Sequence, residues 1–397
     1  MPHQRIRHFL ELLEKRLTLF PIVGVLGARQ TGKSTLLRDL LPGKRSTTYI
    51  TLDRDEVKVQ AARQPSLFVK NLELPDIQTV CIDEIQKAPV LFDTLKAEVD
   101  ERKRPGRFVV SGSTEFSKKT GVLDSLTGRI ALLRLFPLNQ AETEQRKSMY
   151  PLLDPMGQLA RRKFPPLEKS QAWLDRGGMP GMFAVRDSSS RAALFESWIE
   201  TTCTRDLAQF NIPHFNPDLA RRIFFETVQA QIPQRAPIAK ALGKTPRQIA
   251  AYFEAFKALF VFYEIEPYKT SVGKPCFYCF DSGLAGFAGA TVERRLQIWF
   301  LNECFSQFSY SGQMRPDVFF YETSRGSRVD LVIKGKDTVY AIKLGHDESP
   351  GTYLLRSVEA FRKKHRKIPV FIAAPCLGVY QHGNDTELQI VPWSALT

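Results

Sequence analysis

The chain has 397 residues, 43% hydrophobic and 25% charged, the balance of globular domains; this excludes a disordered or low-complexity polymer. That length calls for two or three domains. Lys plus Arg outnumber Asp plus Glu by 56 to 42, a surplus of 14 that keeps polyanion partners in view beside ordinary solvated faces.

The first predicted element is an amphipathic helix, with Ile6, Phe9, Leu10, Leu13 and Leu17 on one face. His3, Arg5, Arg7, His8 and Glu11 interrupt the same stretch, so no signal-peptide core is expected. Apolar runs such as 130–133 and 258–263 fall far short of a bilayer span. A cytoplasmic location is the resulting expectation.

An alternation follows. Ile22 to Leu26 reads as a strand and Lys33 to Leu41 as a helix. Thr48 to Leu52 is the next strand, with a helical stretch to about Val69. Val80 to Asp83, Phe108 to Ser111 and Ile130 to Leu135 are further apolar strands. Continuous apolar strands separated by helices predict a mostly parallel sheet covered on both faces.

From about Glu142 prolines punctuate the chain, and helices take over. Gly177-Gly178-Met179-Pro180-Gly181 reads as a turn between two of them. Ile238 to Leu242, Gly243-Lys244 and Thr245 to Leu259 read as helix, turn, helix, with Thr245 as N-cap and Pro246 as first helical residue. Strands at Phe260 to Ile265 and Cys276 to Phe280 complete the pattern of a winged helix. Lys244, Arg247 and Gln248 near its second helix would suit DNA, whereas Glu254 would repel phosphate. Cys276 and Cys279 form a CxxC pair among Phe277, Tyr278 and Phe280; without a second pair at ligand spacing they read as reduced core cysteines.

After about Val292 a compact α/β section is predicted. It has a helix near 295–308, strands at 318–322, 329–333 and 338–342, a helix at 353–364, and strands at 370–374 and 388–391. The cationic run Arg362 to Lys367 closes its second helix, where the helix dipole favours cations in any case. The expected division is therefore residues 1–145, 146–290 and 291–397.

The chemistry concentrates in the first section. Gly27-Ala28-Arg29-Gln30-Thr31-Gly32-Lys33-Ser34 matches GxxxxGK[ST] between a strand and a helix. Glycines let the backbone wrap an anion, and the loop amides and helix start face it. Lys33 is expected on the β- and γ-phosphates of ATP and Ser34 on Mg²⁺, with Thr35 completing the loop. By composition such a match arises in about one chain in a hundred of this length. Asp83, ending an apolar strand, is placed for magnesium through its hydration shell, and Glu84 to polarise the attacking water. Ser111 or Ser113, after the next strand, would contact the γ-phosphate or water, or simply form a turn. Arg129, in Leu126-Thr127-Gly128-Arg129, is either an arginine finger, often supplied across a subunit boundary, or a structural arginine.

Taken in order, GARQTGKST, IDEIQKAP, VVSGSTEF, SLTGR and Phe136-Pro137-Leu138 resemble bacterial and archaeal ATPases of the AAA superfamily that carry a C-terminal domain of unknown function. The resemblance continues through Gly177-Gly178-Met179-Pro180, Arg205-Asp206 and Phe280-Asp281-Ser282-Gly283. It implies an AAA-type P-loop sheet, a helical and winged-helix middle, and an end similar to the PD-(D/E)xK nuclease fold. That end needs a helix acid, a strand Asp and an acid-x-Lys. Glu303, Asp330 and Lys343 suit three of the positions, but Ala341 stands where the fourth acid belongs and cannot ligate metal. Glu322, or Asp347 and Glu348 folding back, would have to substitute. A catalytically dead binding or assembly module is the expectation.

The function expected from all this is an ATP-hydrolysing switch controlling the downstream modules, with DNA and a homo-oligomer as candidate partners. A nucleotide-regulated nuclease, and an interaction protein that binds nucleotide without turnover, are the alternatives.

Overall fold

A computed structural model describes residues 5–115, 126–147, 167–312, 317–335, 338–347, 351–376, 378–382 and 385–396. Contacts divide the described chain into two units: residues 5–136 with 258–260, and the remainder. Among the described residues no helix is long and apolar enough to cross a membrane.

The first unit is a five-stranded parallel sheet: β1 (Ile22–Leu26), β2 (Thr47–Thr51), β3 (Thr79–Asp83), β4 (Phe108–Gly112) and β5 (Ile130–Arg134). Their order across the sheet is β2-β3-β4-β1-β5. Sequence patterning explains the placement. The apolar strands β1, β3 and β4 are buried at every position and lie inside, while the threonine-rich β2 and the Arg-ended β5 are mostly half-buried and form the edges. Helices Phe9–Leu17, Asp55–Arg63, Pro65–Leu72 and Val90–Glu101 accompany the strands. This is the α/β fold of a P-loop NTPase, as the alternation predicted. One strand, β4, separates the loop strand β1 from the acidic strand β3.

The second unit opens with a capping box: the Asn139 side-chain Oδ1 accepts the Glu142 N–H, and the Glu142 carboxylate accepts the Asn139 N–H. Helices Leu167–Arg176, Pro180–Phe183, Ser188–Thr201, Pro217–Gln229, Arg235–Ala241 and Pro246–Ala258 follow. Asp187 and Asn216 cap two of them with side-chain oxygens. Thr245 caps as expected, taking the Gln248 N–H while the Gln248 side chain takes its own.

An eight-stranded mixed sheet completes this unit: β6 (Phe262–Pro267), β7 (Cys276–Cys279), β8 (Asp317–Glu322), β9 (Arg328–Lys334), β10 (Val339–Leu344), β11 (Val370–Ala374), β12 (Tyr380–His382) and β13 (Asp385–Pro392), ordered β12-β13-β11-β10-β9-β8-β6-β7. The β6–β7 hairpin predicted to end a separate middle section pairs with β8 in parallel through Glu266 and Pro267. The sheet therefore runs through the boundary expected near residue 290. Cys276 and Cys279 are both buried in β7. Helix Val292–Tyr310 is buried on nearly every face, and helix Thr352–Lys364 packs its Val358 and Phe361 into the core of Val329, Val332, Ala341, Ile372 and Ile390.

Candidate nucleotide site

Everything at the loop follows from the end of β1. The chain leaves the sheet at Gly27, where a Cβ would stand 2.3 Å from the carbonyl oxygen of Leu135, so only glycine fits. Gln30 and Gly32 adopt positive φ, 62° and 94°, curling the loop before helix Lys33–Thr35 and the π-helical turn Leu36–Leu40. Loop bonds hold this shape: the Thr31 hydroxyl donates to Ala28 O at 2.9 Å. Arg7, just before the first helix, donates to Thr31 O at 2.7 Å and to Phe136 O at 2.8 Å. Sequence reading gave Arg7 no part in the site. Its contacts span 24 and 129 residues, which no local pattern reveals.

Lys33 is buried, its ammonium donating to Gly27 O at 2.9 Å and Ala28 O at 2.8 Å. Burial lowers its pKa; Glu84 and Asp83 pull the other way, and Arg29 adds to the depression. Two carboxylates and a second cation therefore act on the Lys33 ammonium, which places the loop lysine beside the acidic pair. The loop lysine and Asp83, 50 residues apart in sequence, lie close enough for their charges to interact.

Asp83 ends β3 nearly fully buried, and both of its oxygens are engaged. Ser111, on the neighbouring β4, donates its hydroxyl to Oδ1, and Tyr49 on β2 donates its own to Oδ2 at 2.7 Å. Burial first, then the Asp83 carboxylate, drives the Tyr49 pKa far above its usual value, so the phenol stays protonated. Asp83, one of the two residues expected on magnesium, is thus held by a tyrosine that the sequence did not single out. Glu84 follows in left-handed backbone, φ 56°. Its carboxylate accepts from Ser113 at 3.1 Å and from Gln86. Of the two serines left open by the sequence, Ser111 addresses Asp83 and Ser113 addresses Glu84.

Arg129 lies elsewhere. It precedes β5, whose register with β1 pairs Ile130 with Ile22 and Arg134 with Leu26. The loop leaves from Leu26, so Arg129 sits at the opposite edge of the sheet, about 17 Å away at ~3.3 Å per residue. There its guanidinium grips Asp100 in two hydrogen bonds of 2.6 and 3.0 Å. The structure does not bring it to the loop of its own chain.

The acids of the expected nuclease-like end are distributed as follows. Asp330 accepts from Lys343 at 2.8 Å, from Leu344 N–H at 2.9 Å and from Gln297 at 2.7 Å. Burial would raise its carboxyl, yet Lys343 and the Leu344 amide outweigh it and hold the pKa below the usual range. Glu303 lies six residues beyond Gln297 on the same helix, ~9 Å further along its axis and turned to another face. It accepts instead from Gln140 N–H at 2.6 Å and Gln307 at 3.0 Å, and burial pushes its pKa up to about 7. The structure brings Asp330 and Lys343 together and does not bring Glu303 to them. Ala341 packs in the apolar core. Glu322 is bonded to Arg328 at 3.2 Å, and Asp347 lies 3.5 Å from His346. Glu348 lies outside the described residues. Among the described residues no group of three metal-ligating side chains converges.

Residues 19–144 match the family model of an AAA domain. The matched stretch spans the loop, the acidic pair and the five strands of the parallel sheet. Residues 167–293 match a domain of unknown function. Among curated proteins, the chain is similar to an uncharacterized protein of Mycobacterium bovis and one of Mycobacterium tuberculosis, each 26% identical over 352 residues, covering 85% of this chain and 73% of theirs. Among solved structures, a Walker-type ATPase of Pyrococcus abyssi aligns at 16% identity, covering 71% of this chain and 95% of that one, with a TM-score of 0.42.

Proposed function

We propose that this chain binds ATP with magnesium at residues 27–35 and hydrolyses it, and that nucleotide state governs its second unit. The observation that carries the reading is the glycine-bounded loop that holds the buried Lys33 ammonium, with Glu84 and Asp83 close enough to act on its charge. Hard oxygen donors of this kind suit magnesium, and a loop with no room for a Cβ at Gly27 suits phosphate. When bound, magnesium supplies charge neutralisation at the β- and γ-phosphate oxygens. Lys33 exchanges its loop carbonyls for phosphate oxygens, with Arg29 adding positive potential. Ser34 and Asp83 hold the metal, and Ser111 keeps the Asp83 carboxylate oriented. Glu84, positioned by Ser113, accepts the proton of the attacking water.

Arg129 has a role in turnover only between copies, because its own loop is out of reach. For the second unit, helices Arg235–Ala241 and Pro246–Ala258 with the β6–β7 hairpin support a winged-helix reading. DNA is its natural candidate partner, given the basic surplus. The nuclease-like end is read as a binding or assembly module, because Lys343, Gln297 and a backbone amide already satisfy Asp330 and Ala341 offers no ligand.

Binding of a non-hydrolysable ATP analogue and release of phosphate test the proposal together. Lys33→Ala should abolish binding, and Glu84→Gln should keep it while losing at least about a hundredfold in turnover. Binding that survives Lys33→Ala, or turnover that survives Glu84→Gln, refutes the respective assignment. A wild type that binds the analogue and never turns over favours the interaction-protein reading. Metal-dependent DNA cleavage that is lost in Asp330→Ala would overturn the inactive reading of the C-terminal end.

A further inference from the structure

The Tyr49 hydroxyl rests on one of the two groups that the ATP reading assigns to magnesium. Its hydrogen goes to Asp83 Oδ2 at 2.7 Å, while Asp83 Oδ1 is already taken by Ser111. A magnesium ion demands near-ideal octahedral geometry at about 2.0–2.1 Å from its oxygens and brings its own water shell. A magnesium-bound water reaching Asp83 would have to take the place of one of these two hydrogen bonds. Asp83 is nearly fully buried, so it has little room to offer another lone pair elsewhere. Tyr49 itself lies on the edge strand β2 and is only half-buried, which leaves its side chain space to turn away.

We propose that Tyr49 is a positioning residue that competes with magnesium for Asp83, so that metal loading requires the phenol to withdraw. The inference rests on the P-loop reading and adds to it a built-in threshold for metal. It requires that nucleotide bind without metal independently of Tyr49, since the phosphate contacts come from Lys33 and the loop amides. Loss of the hydroxyl should act on the metal-dependent part alone. A single hydrogen bond in such an exchange is worth a few-fold to about tenfold in affinity.

The test is ADP binding by calorimetry, in excess chelator and across a magnesium titration, for wild type and Tyr49→Phe. We expect equal affinities in chelator and a three- to tenfold lower half-saturating magnesium concentration in the variant, with Mn²⁺ titrated by electron paramagnetic resonance giving the same displacement. An unchanged or raised metal requirement in Tyr49→Phe overturns the proposal and makes the hydroxyl a simple orienting group for Asp83. No ADP binding by wild type under either condition sinks the P-loop reading instead. Should Tyr49→Phe fail to fold, fluorotyrosine placed at position 49 of the otherwise unaltered chain gives the answer. Its resonance must move when magnesium is added to the ADP complex, and a fixed resonance refutes withdrawal.

Discussion

Asp281 accepts the backbone N–H of Gly178 at 2.7 Å, joining two segments 103 residues apart in sequence. Its second oxygen caps helix Ser282–Phe287 through the Leu284 N–H at 2.8 Å. A Cβ on Gly177 would stand 2.2 Å from the same carboxylate, and one on Gly283 would stand 2.6 Å from the Arg176 carbonyl carbon. The Gly-Gly-Met-Pro and Phe-Asp-Ser-Gly segments are therefore two halves of one joint, with glycine wherever the chains touch.

Replacing Asp281 by Ala strands two buried amides, each costing about 1–3 kcal/mol. Chemical denaturation of Asp281→Ala should show a loss of at least about 2 kcal/mol in the second unit. Nucleotide affinity at the loop, measured well below the transition, should stay at the wild-type value.

Gly27→Ala forces a methyl group onto the Leu135 carbonyl. Either β5 shifts or the loop opens, and both displace the amides that face phosphate. We expect nucleotide affinity to fall by at least tenfold, about 1.4 kcal/mol. A variant that binds like wild type would show that the strand yields without cost.

Arg129→Ala breaks an exposed pair with Asp100, which contributes little to stability. Nucleotide binding should not change. Turnover that falls and is restored by mixing with a Lys33→Ala chain, whose Arg129 is intact, marks a finger acting between copies. Turnover that does not fall assigns Arg129 to Asp100 alone.

Glu303 provides a pH signature. Its pKa rises to about 7 in the folded chain from an ordinary 4.5, because burial penalises the charge. Between these values the folded state binds more protons than the unfolded one, so the contribution of this group to stability is greatest in acid and declines as pH rises from about 4.5 to 7. Above pH 7 the burial of the charge costs on the order of 3 kcal/mol relative to the acid limit. Glu303→Gln should remove this slope. The difference in stability between wild type and variant must therefore change across that window, and a constant difference would mean that Glu303 does not titrate there.

Much of this was legible in the sequence because it is local. The three inner apolar strands, the glycine loop and the strand-end acids are set by short-range patterning, since an apolar strand buried on both faces has one way to satisfy its side chains. The helix start at Thr245 and Pro246 was legible for the same reason, capping being a contact within four residues. Glu303, Asp330 and Lys343 also sat on the elements expected. Their faces did not follow, because six residues along a helix separate Glu303 from the Gln297 that meets Asp330.

What only the tertiary structure decided is which distant groups share a charge or a hydrogen. Strand order put Tyr49 and Ser111 on either side of Asp83. Parallel register sent Arg129 to the sheet edge away from the loop, and the long return of the chain tied Arg7 to Thr31. Composition and spacing name the groups able to hold a phosphate. Side-chain partners across a sheet depend on register and strand neighbours, which are settled by burying the whole unit rather than by any one segment.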